Sequence, residues 1–378
     1  MSADQPAVVV LYRDAALRRR ALETPPGSPE RYCLHGLDEL QAAGALVTHT
    51  LEPDAAPNAL ERIAGRALNA LVTRTGGYGG AFAAVLGVRR RIAAADAVFS
   101  TVDTLGIPLV LLRQARLVAR TPVVYASIGL LDRMARLRSA RALRRHRSAF
   151  DDVDLVLAYG HAEAEELRAW LAPLERPPVV RFVPFGVDTD AFAPVDVPPD
   201  LDVVAIGADP RRDWALLQRV AARTPTLAYR AIAAHEQRSA LVSPPVNVEV
   251  ELGLPLEDVR ERLQRARIVA LPVVDNAYSG ATTTLLQAMA CGRPVVVSRT
   301  RAIADGYGLV DGENCILVPP GDEDAFAGAI SGLAAEPERA AALGARARAH
   351  VVAELGWARY TAAIVDAVLS AARGQTAA

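Results

Sequence analysis

Short apolar runs, many of them β-branched, alternate with helix-favouring stretches along almost the whole chain. The runs are apolar at consecutive positions, and this pattern predicts strands that are buried on both faces. Such strands, when helices separate them, are typical of parallel sheets covered by helices on each side, so we predict an α/β fold. The predicted strands are VVVLY, ALVTHTL, DAVFST, TPVVYAS, DLVLAYG, VVRFVPF, DVVAIG, TLAYRAI, NVEVEL, RIVALPV, RPVVVS and NCILVP.

The length of the chain predicts two domains. A chain of 378 residues, 51% of them hydrophobic, is long for one core and can fill two. Residues 193–200, APVDVPPD, contain three prolines in eight positions and predict a stiff linker. We therefore expect Rossmann-like domains over residues 1–192 and 201–355. The last helix, within residues 356–378, has apolar residues at helical spacing and is expected to pack on a domain, with the N-terminal one as the candidate.

Composition excludes several classes of function. The formal charge of −1 gives no reason to expect nucleic-acid binding. Cys33, Cys291 and Cys315 lack metal-ligand spacing, and the six histidines form no ligand pair, so we expect no metal site and a reducing cytoplasm. All 42 basic residues are arginines, which excludes a lysine Schiff base and a P-loop. No apolar run is long enough to span a bilayer, and the N-terminus has no signal-peptide pattern.

The stretch SGATTTLLQAMACGRPVVV, residues 279–297, predicts a helix that begins at an exposed run of small polar residues. Threonine loses rotamer freedom inside a helix but suits a helix start. The glycine and proline of CGRP predict the end of the helix, and a buried strand follows. A helix start of this composition can bind a phosphate, whereas the alternative is ordinary capping without a ligand.

Residues 267–330, from RIVALPV to AFAGAI, resemble the donor-domain signature of family 4 glycosyltransferases with the GT-B fold. RFVPFGVDTDAFAP and DVVAIGADPRRDW resemble two further segments of that family, and the resemblance covers most of residues 150–370. It implies two facing domains with a cleft between them. It also implies that the second domain binds a nucleotide-diphosphate sugar, that the first binds a hydroxyl-bearing acceptor, and that transfer retains the anomeric configuration.

The chain departs from the family at charged positions. The family carries two glutamates separated by seven residues, the second directly before Ala-Met-Ala; here these positions hold Ser279 and Gln287. Gln287 can still hydrogen-bond ribose hydroxyls. The family's lysine beside the diphosphate is replaced by Arg212, with Arg211 next to it, and we predict that these arginines stabilise the leaving group.

The remaining donor-side prediction concerns turns at the carboxyl ends of second-domain strands, where open α/β sheets bind ligands. The resemblance implies that the backbone after NVEVEL holds the nucleotide base; a simple strand-to-helix turn is the alternative. The predicted donor-binding residues are Gly207, Gly253, Leu254, Pro255, Ser279, Gly280, Ala281, Thr282, Thr283 and Gln287.

On the acceptor side, the family commonly places a histidine after a first-domain strand. The matching region, YASIGLLDR, holds Ile128 at that position. We therefore take Ser127, Gly129 and His161 as acceptor-side candidates.

The segment RMARLRSARALRRHR, residues 133–147, contains seven arginines. Met134, Leu137, Ala140 and Leu143 fall close to one helical face. A basic amphipathic helix can contact an anionic membrane. The alternative, which we favour, is a solvated arginine face whose apolar stripe packs on the core.

These observations predict a cytoplasmic, metal-independent glycosyltransferase that needs no cofactor beyond its nucleotide-sugar donor. One alternative is a GT-B enzyme that uses a nucleotide-activated cyclitol or another non-sugar donor. The other is a catalytically silent nucleotide-sugar-binding protein, which the missing glutamates and histidine would suit.

Overall fold

The computed structural model describes residues 5–278 and 280–375, and the predicted site residue Ser279 lies outside the described residues. The described chain forms two compact units, each with its own sheet. Unit 1 combines the chain up to Tyr159 with Glu163–Val183 and the segment from Thr361 onward. Unit 2 contains Gly160–Ala162 and Pro184–Tyr360.

Unit 1 contains a parallel sheet of six strands in the order β2-β1-β3-β4-β5-β6. Every residue of β3, β4 and β5 is buried, as expected for strands covered on both faces. The strands are β1 Ala7–Leu11, β2 Leu46–His49, β3 Ala97–Ser100, β4 Val123–Ala126, β5 Leu155–Ala158 and β6 Val179–Phe182.

The helices that accompany this sheet are α1 Ala16–Glu23, α2 Leu37–Ala42, α3 Ala59–Arg74, α4 Phe82–Gly87, α5 Arg89–Ala94, α6 Asp103–Gln114, α7 Leu130–Ala135, α8 Ala140–Ser148 and α9 His161–Leu171. Short 3-10 helices cover Pro29–Leu34, Pro53–Ala55 and Ala149–Asp152. Helix α6 is almost entirely buried, because it packs in the main apolar cluster of unit 1.

Unit 2 contains a second parallel sheet, in the order β12-β11-β10-β7-β8-β9. Its strands are β7 Leu201–Gly207, β8 Tyr229–Ala233, β9 Val248–Leu252, β10 Ala266–Leu271, β11 Val295–Ser298 and β12 Ile316–Val318. The helices of unit 2 are α10 Trp214–Arg223, α11 Leu256–Arg265, α12 Thr282–Ala290, α13 Arg301–Ala304, α14 Glu323–Ala335 and α15 Pro337–Glu354, with a 3-10 helix at His235–Leu241. Helix α16, Trp357–Ala372, begins in unit 2 and belongs to unit 1 from Thr361 onward.

The α/β prediction is confirmed, and each predicted strand segment overlaps one of β1–β12. The strand order of unit 2 reverses direction between β7 and β10, which are neighbours in the sheet although two strands separate them in sequence. Such a reversal opens a crevice at the carboxyl ends of the two strands, where open α/β sheets bind ligands.

The arginine-rich segment forms two short helices, α7 and α8, instead of one continuous helix. Met134 is buried in the apolar cluster of unit 1, and Leu137 and Leu143 pack against that cluster. Ala140 is exposed, so its predicted place in the apolar stripe is wrong. The chain interruption after α7 rotates α8 out of a single helical register, which is why the stripe does not continue through Ala140. Among the described residues, no helix is long and apolar enough to cross a membrane.

Candidate functional site

The loop between β7 and α10 is held in place by the Asp209 carboxylate. Asp209 Oδ1 accepts hydrogen bonds from the backbone N–H of Arg211, at 2.7 Å, and from the Tyr278 hydroxyl, at 3.1 Å. Arg211 also hydrogen-bonds the Tyr278 hydroxyl through its side chain. Burial raises the pKa of Asp209, and these hydrogen bonds oppose the shift. The loop after β7 is therefore tied to Tyr278, which precedes α12.

Backbone pairing joins the same loop to the end of β10. Arg212 forms an antiparallel bridge with Val273, the N–H of Val274 donates to the Arg211 carbonyl at 2.9 Å, and the N–H of Asp213 donates to the Pro272 carbonyl at 3.0 Å. The two loops at the switch point between β7 and β10 are thus fixed to each other.

The Arg212 side chain lies directly against Gly207 at the end of β7. A Cβ atom on Gly207 would overlap Nε and the aliphatic stem of Arg212. This packing explains why the strand ends in glycine, since a larger residue would displace the arginine.

Arg212 is buried, and no ion pair to its guanidinium is found among the described residues. Its exposure is 7%, and neither Nε nor Nη1 has a hydrogen-bond partner among the described residues. Burial lowers the pKa of Arg212 to about 10, and Asp209 opposes that shift. Buried polar groups are normally hydrogen-bonded, and an unpaired buried charge is costly. The guanidinium therefore has donors available for an anion.

Helix α12 begins beside this loop with an unsatisfied hydroxyl. Thr282, its first residue, is fully buried, and its Oγ1 has no hydrogen-bond partner among the described residues. Ala281 occupies the N-cap position and makes no side-chain capping bond. Thr283 is half-buried. The first amides of a helix carry free donors and the positive end of its dipole, which favour an anion.

Gly280 brings α12 close to the Asp209 carboxylate. A Cβ atom there would lie 2.9 Å from Asp209 Oδ1, closer than real Cβ contacts. The structure thus brings together Gly207, Arg211, Arg212, Gly280, Ala281 and Thr282 at the carboxyl ends of β7 and β10.

Sequence reasoning missed Asn276, which follows β10. Its side chain is 3% exposed and donates through Nδ2 to the Val274 carbonyl at 2.9 Å. Its Oδ1 is a buried acceptor without a partner among the described residues. Its position in the sequence could have indicated it as a site residue, because an asparagine between a buried strand and the following helix start lies at the ligand edge of such a sheet.

The other donor-side residues lie elsewhere in unit 2. Gly253, Leu254 and Pro255 follow β9, which β8 separates from β7. Gly253 has a left-handed φ of 67°, and a Cβ atom on it would collide with the imidazole of His235, a neighbour that the sequence did not indicate. Pro255 is the N-cap residue of α11.

Gln287 lies in α12 with 6% of its surface exposed. It follows Thr283 by four residues, so the two side chains share one face of the helix. The Gln287 side chain therefore lies on the same face of α12 as Thr283 at the helix start.

Unit 1 contains a second polar cluster, at the turn between β4 and α7. Ser127 is fully buried, and its hydroxyl donates to Glu163 Oε1 at 2.6 Å. Gly129, the N-cap residue of α7, has a left-handed φ of 79° and its N–H lies 3.4 Å from the same oxygen. Glu163 therefore holds the turn from both of its ends.

Glu163 is a buried carboxyl that sequence reasoning missed. Its exposure is 2%, and Oε2 has no hydrogen-bond partner among the described residues. Burial raises its pKa to about 8; Ser127 opposes the shift and the charge of Asp103 adds to it. Helical spacing could have identified it, because Glu163 lies four and eight residues before the buried Leu167 and Leu171.

Asp103 approaches the same turn from the start of α6. Fully buried, it accepts hydrogen bonds from the Tyr125 hydroxyl at 2.8 Å, from the Ile128 N–H at 3.4 Å and from Arg133 Nε at 3.1 Å. Arg133 in turn donates to the Tyr78 hydroxyl and lies over its ring. Asp103 has a counter-ion, and Glu163 lacks one among the described ion pairs.

The three acceptor-side candidates are divided between the units. Ser127 and Gly129 belong to unit 1, whereas His161 belongs to unit 2 with Gly160 and Ala162. Gly160 packs against the carbonyl groups of Ala277 and Ala302, where a Cβ atom would collide. His161 is half-buried at the start of α9. Within residues 5–278 and 280–375, no group of three or more His, Cys, Asp or Glu residues could hold a metal ion.

Residues 215–336, in unit 2, match the family described as Glycosyl transferases group 1. D-inositol 3-phosphate glycosyltransferase from Saccharomonospora viridis is 29% identical over 220 residues, which make up 50% of this chain and 50% of that protein. The chain thus spans about half the length of this curated relative.

Two solved structures share the fold. HepE from Anabaena, in complex with UDP and glucose, aligns with a TM-score of 0.69 at 16% identity, covering 97% of this chain and 100% of that chain. Sucrose-phosphate synthase from Thermosynechococcus elongatus aligns with a TM-score of 0.67 at 18% identity, covering 95% and 97% respectively. These alignments and the two parallel sheets establish the GT-B fold.

Proposed function

We propose that this chain, which has the GT-B fold, transfers a sugar from a nucleotide-diphosphate sugar to an acceptor hydroxyl. The proposal rests mainly on Arg212, whose guanidinium is buried at the switch point of the second sheet. Its Nε and Nη1 have no hydrogen-bond partner within the described part of the chain. The name of the Saccharomonospora viridis relative and the UDP in the HepE complex support a donor of this class.

In the proposed reaction the bond between the anomeric carbon and the diphosphate breaks while the acceptor oxygen bonds that carbon and loses its proton. Negative charge grows on the departing diphosphate. Arg212 and the first amides of α12 are fixed before the reaction and would stabilise that charge more in the transition state than in the ground state. A guanidinium can grip two phosphate oxygens, so we propose that no metal ion or further cofactor is needed.

We propose that Gln287 hydrogen-bonds the ribose and that the backbone of Gly253–Pro255 contacts the base. Thr282 Oγ1 and Asn276 Oδ1 are both buried and lack hydrogen-bond partners within the described part of the chain. The Thr282 hydroxyl would donate to a diphosphate oxygen, and Asn276 Oδ1 would accept a hydrogen bond from a hydroxyl of the diphosphate sugar. Ser127, Gly129 and His161 are proposed for the acceptor side. Retention of the anomeric configuration is part of the proposal and follows from the family resemblance.

A binding protein without turnover is the second candidate function. Gln287 stands where the family has a glutamate, and an uncharged amide binds ribose without taking part in charge stabilisation. The third candidate function is transfer from a nucleotide-activated cyclitol or another non-sugar donor. The same contacts would bind the diphosphate of such a donor.

The test is release of nucleoside diphosphate from a panel of nucleotide sugars, measured with and without hydroxyl acceptors, in chelator and in magnesium. Acceptor-dependent release in chelator supports the proposal. Binding of nucleotide sugars without release under any condition would instead identify a binding protein, and release only with magnesium would show that a metal does the work assigned to Arg212. Analysis of the anomeric configuration of the product by NMR tests retention.

A further inference from the structure

Helix α6 ends in a buried cation that the proposed transfer does not use. Arg113 lies in the last turn of α6 and is 3% exposed. Among the described residues, neither Nε nor Nη1 of Arg113 has a hydrogen-bond partner. Burial lowers the pKa of Arg113, while the charges of Asp154 and Asp152 oppose the shift. A buried guanidinium with open donors requires an explanation, and a bound anion supplies one.

Two cavities meet at this side chain. One, of about 430 Å³, is lined by Arg113, Arg116, Leu117, Val118, Ala119 and Arg120. The other, of about 440 Å³, is also lined by Arg113 and Arg120, together with the acidic residues Asp151, Asp152 and Asp154. Pro122, before β4, and Asp154, before β5, place the second cavity at the amino ends of these strands, opposite the Ser127 turn at the carboxyl end of β4. The first cavity is lined by the end of α6 and by the segment that leads from α6 towards β4.

The acidic residues of the second cavity are already engaged. Asp152 pairs with Arg120 at 3.2 Å and with Arg176 at 2.8 Å. Asp154 accepts a hydrogen bond from the Val123 N–H at 2.7 Å. Neither forms an ion pair with Arg113 among those described. The first cavity, by contrast, is lined by three arginines and no carboxylate.

We propose that the cavity lined by Arg113, Arg116 and Arg120 binds the phosphate group of a small organic phosphate. Arg113 lines this cavity, and a planar guanidinium can offer two parallel donors that match the oxygens of a phosphate. The C-terminal end of α6 carries a negative partial charge, so three arginines are needed to make the cavity attractive to an anion.

The cavity is larger than a bare phosphate requires. Small-molecule sites typically enclose about 300–1,000 Å³ and combine apolar walls with a few polar groups. Val118 is buried, and Leu117 is 51% exposed at the rim of the cavity. These side chains would contact the organic part of the ligand while the arginines hold its charge.

The test uses the full chain and two probes, inorganic phosphate and phenyl phosphate, with chloride at equal ionic strength as the reference. Thermal unfolding and calorimetric titration are measured for the wild type and for Arg113→Met. We expect both probes to raise the Tm of the wild type, phenyl phosphate more strongly, because binding to the native state stabilises it. Arg113→Met should weaken binding at this site by about 10–100-fold.

Arg212→Met and Arg90→Met are the matched controls. Arg212→Met removes the proposed diphosphate contact in unit 2, so a response through Arg113 should persist in it. Arg90 is an exposed arginine of unit 1 outside both cavities, and its replacement should leave the response unchanged. Should Arg113→Met fail to fold, the double variant Arg116→Met/Arg120→Met removes the two other arginines of the cavity and is expected to weaken binding as well.

Two results would overturn the proposal. Equal responses to phosphate and chloride would indicate an adventitious ion only. The anion would be assigned to the unit 2 site if Arg212→Met abolished the phosphate response while Arg113→Met retained it. The same conclusion would follow if Arg212→Met abolished the response while the double variant Arg116→Met/Arg120→Met retained it.

Discussion

The Ser127 hydroxyl donates a 2.6 Å hydrogen bond to Glu163 Oε1, and both side chains are buried. This bond connects the turn after β4 to helix α9, and the carboxyl has no counter-ion within the part of the chain that the structure describes. Asp103 bonds the middle of the same turn and carries its own partner, Arg133. Two buried carboxyls therefore hold one turn. Burial, with a smaller contribution from the charge of Asp103, raises the pKa of Glu163 to about 8, which favours its protonated form at neutral pH.

The raised pKa of Glu163 predicts a pH-dependent stability. Its folded-state pKa, about 8, lies above the ordinary value of 4.5, so the folded protein binds the extra proton between these values. The contribution of this group to stability should fall as pH rises from about 4.5 towards 8 and stay at its lowest above that range. Glu163→Gln should flatten the pH dependence. Relative to the wild type, its free energy of unfolding should gain on the order of 4 kcal/mol between acid pH and pH 8. Urea unfolding from pH 5 to 9 measures it.

The control for this experiment is Glu165→Gln, on the exposed side of the same helix. It should reproduce the wild-type curve. Parallel curves for wild type and Glu163→Gln would mean that Glu163 does not titrate in this range.

Arg212→Met should reduce kcat far more than it weakens donor binding. Loss of one preorganised contact to a developing charge costs about 3–4 kcal/mol, or roughly 10²–10³ in rate. Arg211→Met should have a smaller effect, because Arg211 is only half-buried and already bonds Tyr278. Steady-state kinetics with each variant compares the two, and a near-normal kcat in the double variant would refute the mechanism.

Gly207→Ala should reproduce much of the Arg212→Met defect without unfolding the protein. The new methyl group would take the space of the Arg212 side chain, whereas the backbone at Gly207 has no left-handed φ that alanine would strain. Gly332→Ala, in α14, is the control, since no atom lies within 4 Å of its Cβ position. Circular dichroism and kinetics on both variants test this; wild-type activity in Gly207→Ala would show that Arg212 can move freely.

Gln287→Ala should weaken nucleoside diphosphate binding by about 1–3 kcal/mol, because ribose hydroxyls would lose their partner. Calorimetric titration of the variant measures the loss. Unchanged affinity would rule out the ribose contact.

The exposed arginines of residues 136–145 allow a test of the membrane alternative. Arg136, Arg138, Arg141, Arg144 and Arg145 are exposed while the apolar residues Met134, Leu137 and Leu143 face the core. We expect only weak co-sedimentation with anionic vesicles at low salt, lost as salt screens the charges. Tight binding that survives high salt would show that apolar residues insert, contrary to their packing here.

The sequence alone was enough to predict the α/β class, all twelve strand segments and the helix beginning near Thr282. These features depend on local patterns: a buried parallel strand is apolar at consecutive positions, and a helix start is marked by small polar residues within a few positions. The family resemblance singled out Arg212 ahead of its neighbour Arg211, but the sequence could not show which of the two side chains is buried.

Tertiary structure decided which polar groups are buried and unpaired. Arg212 is enclosed and Arg211 is not, because the chain turns against Gly207 and pairs with Val273 from a distant strand. Among the three glutamates of α9, Glu163 is bonded to Ser127 in the turn after β4, whereas Glu165 is exposed. Desolvation and hydrogen bonding depend on atoms brought together from remote parts of the chain, so the pattern of neighbouring residues does not determine them.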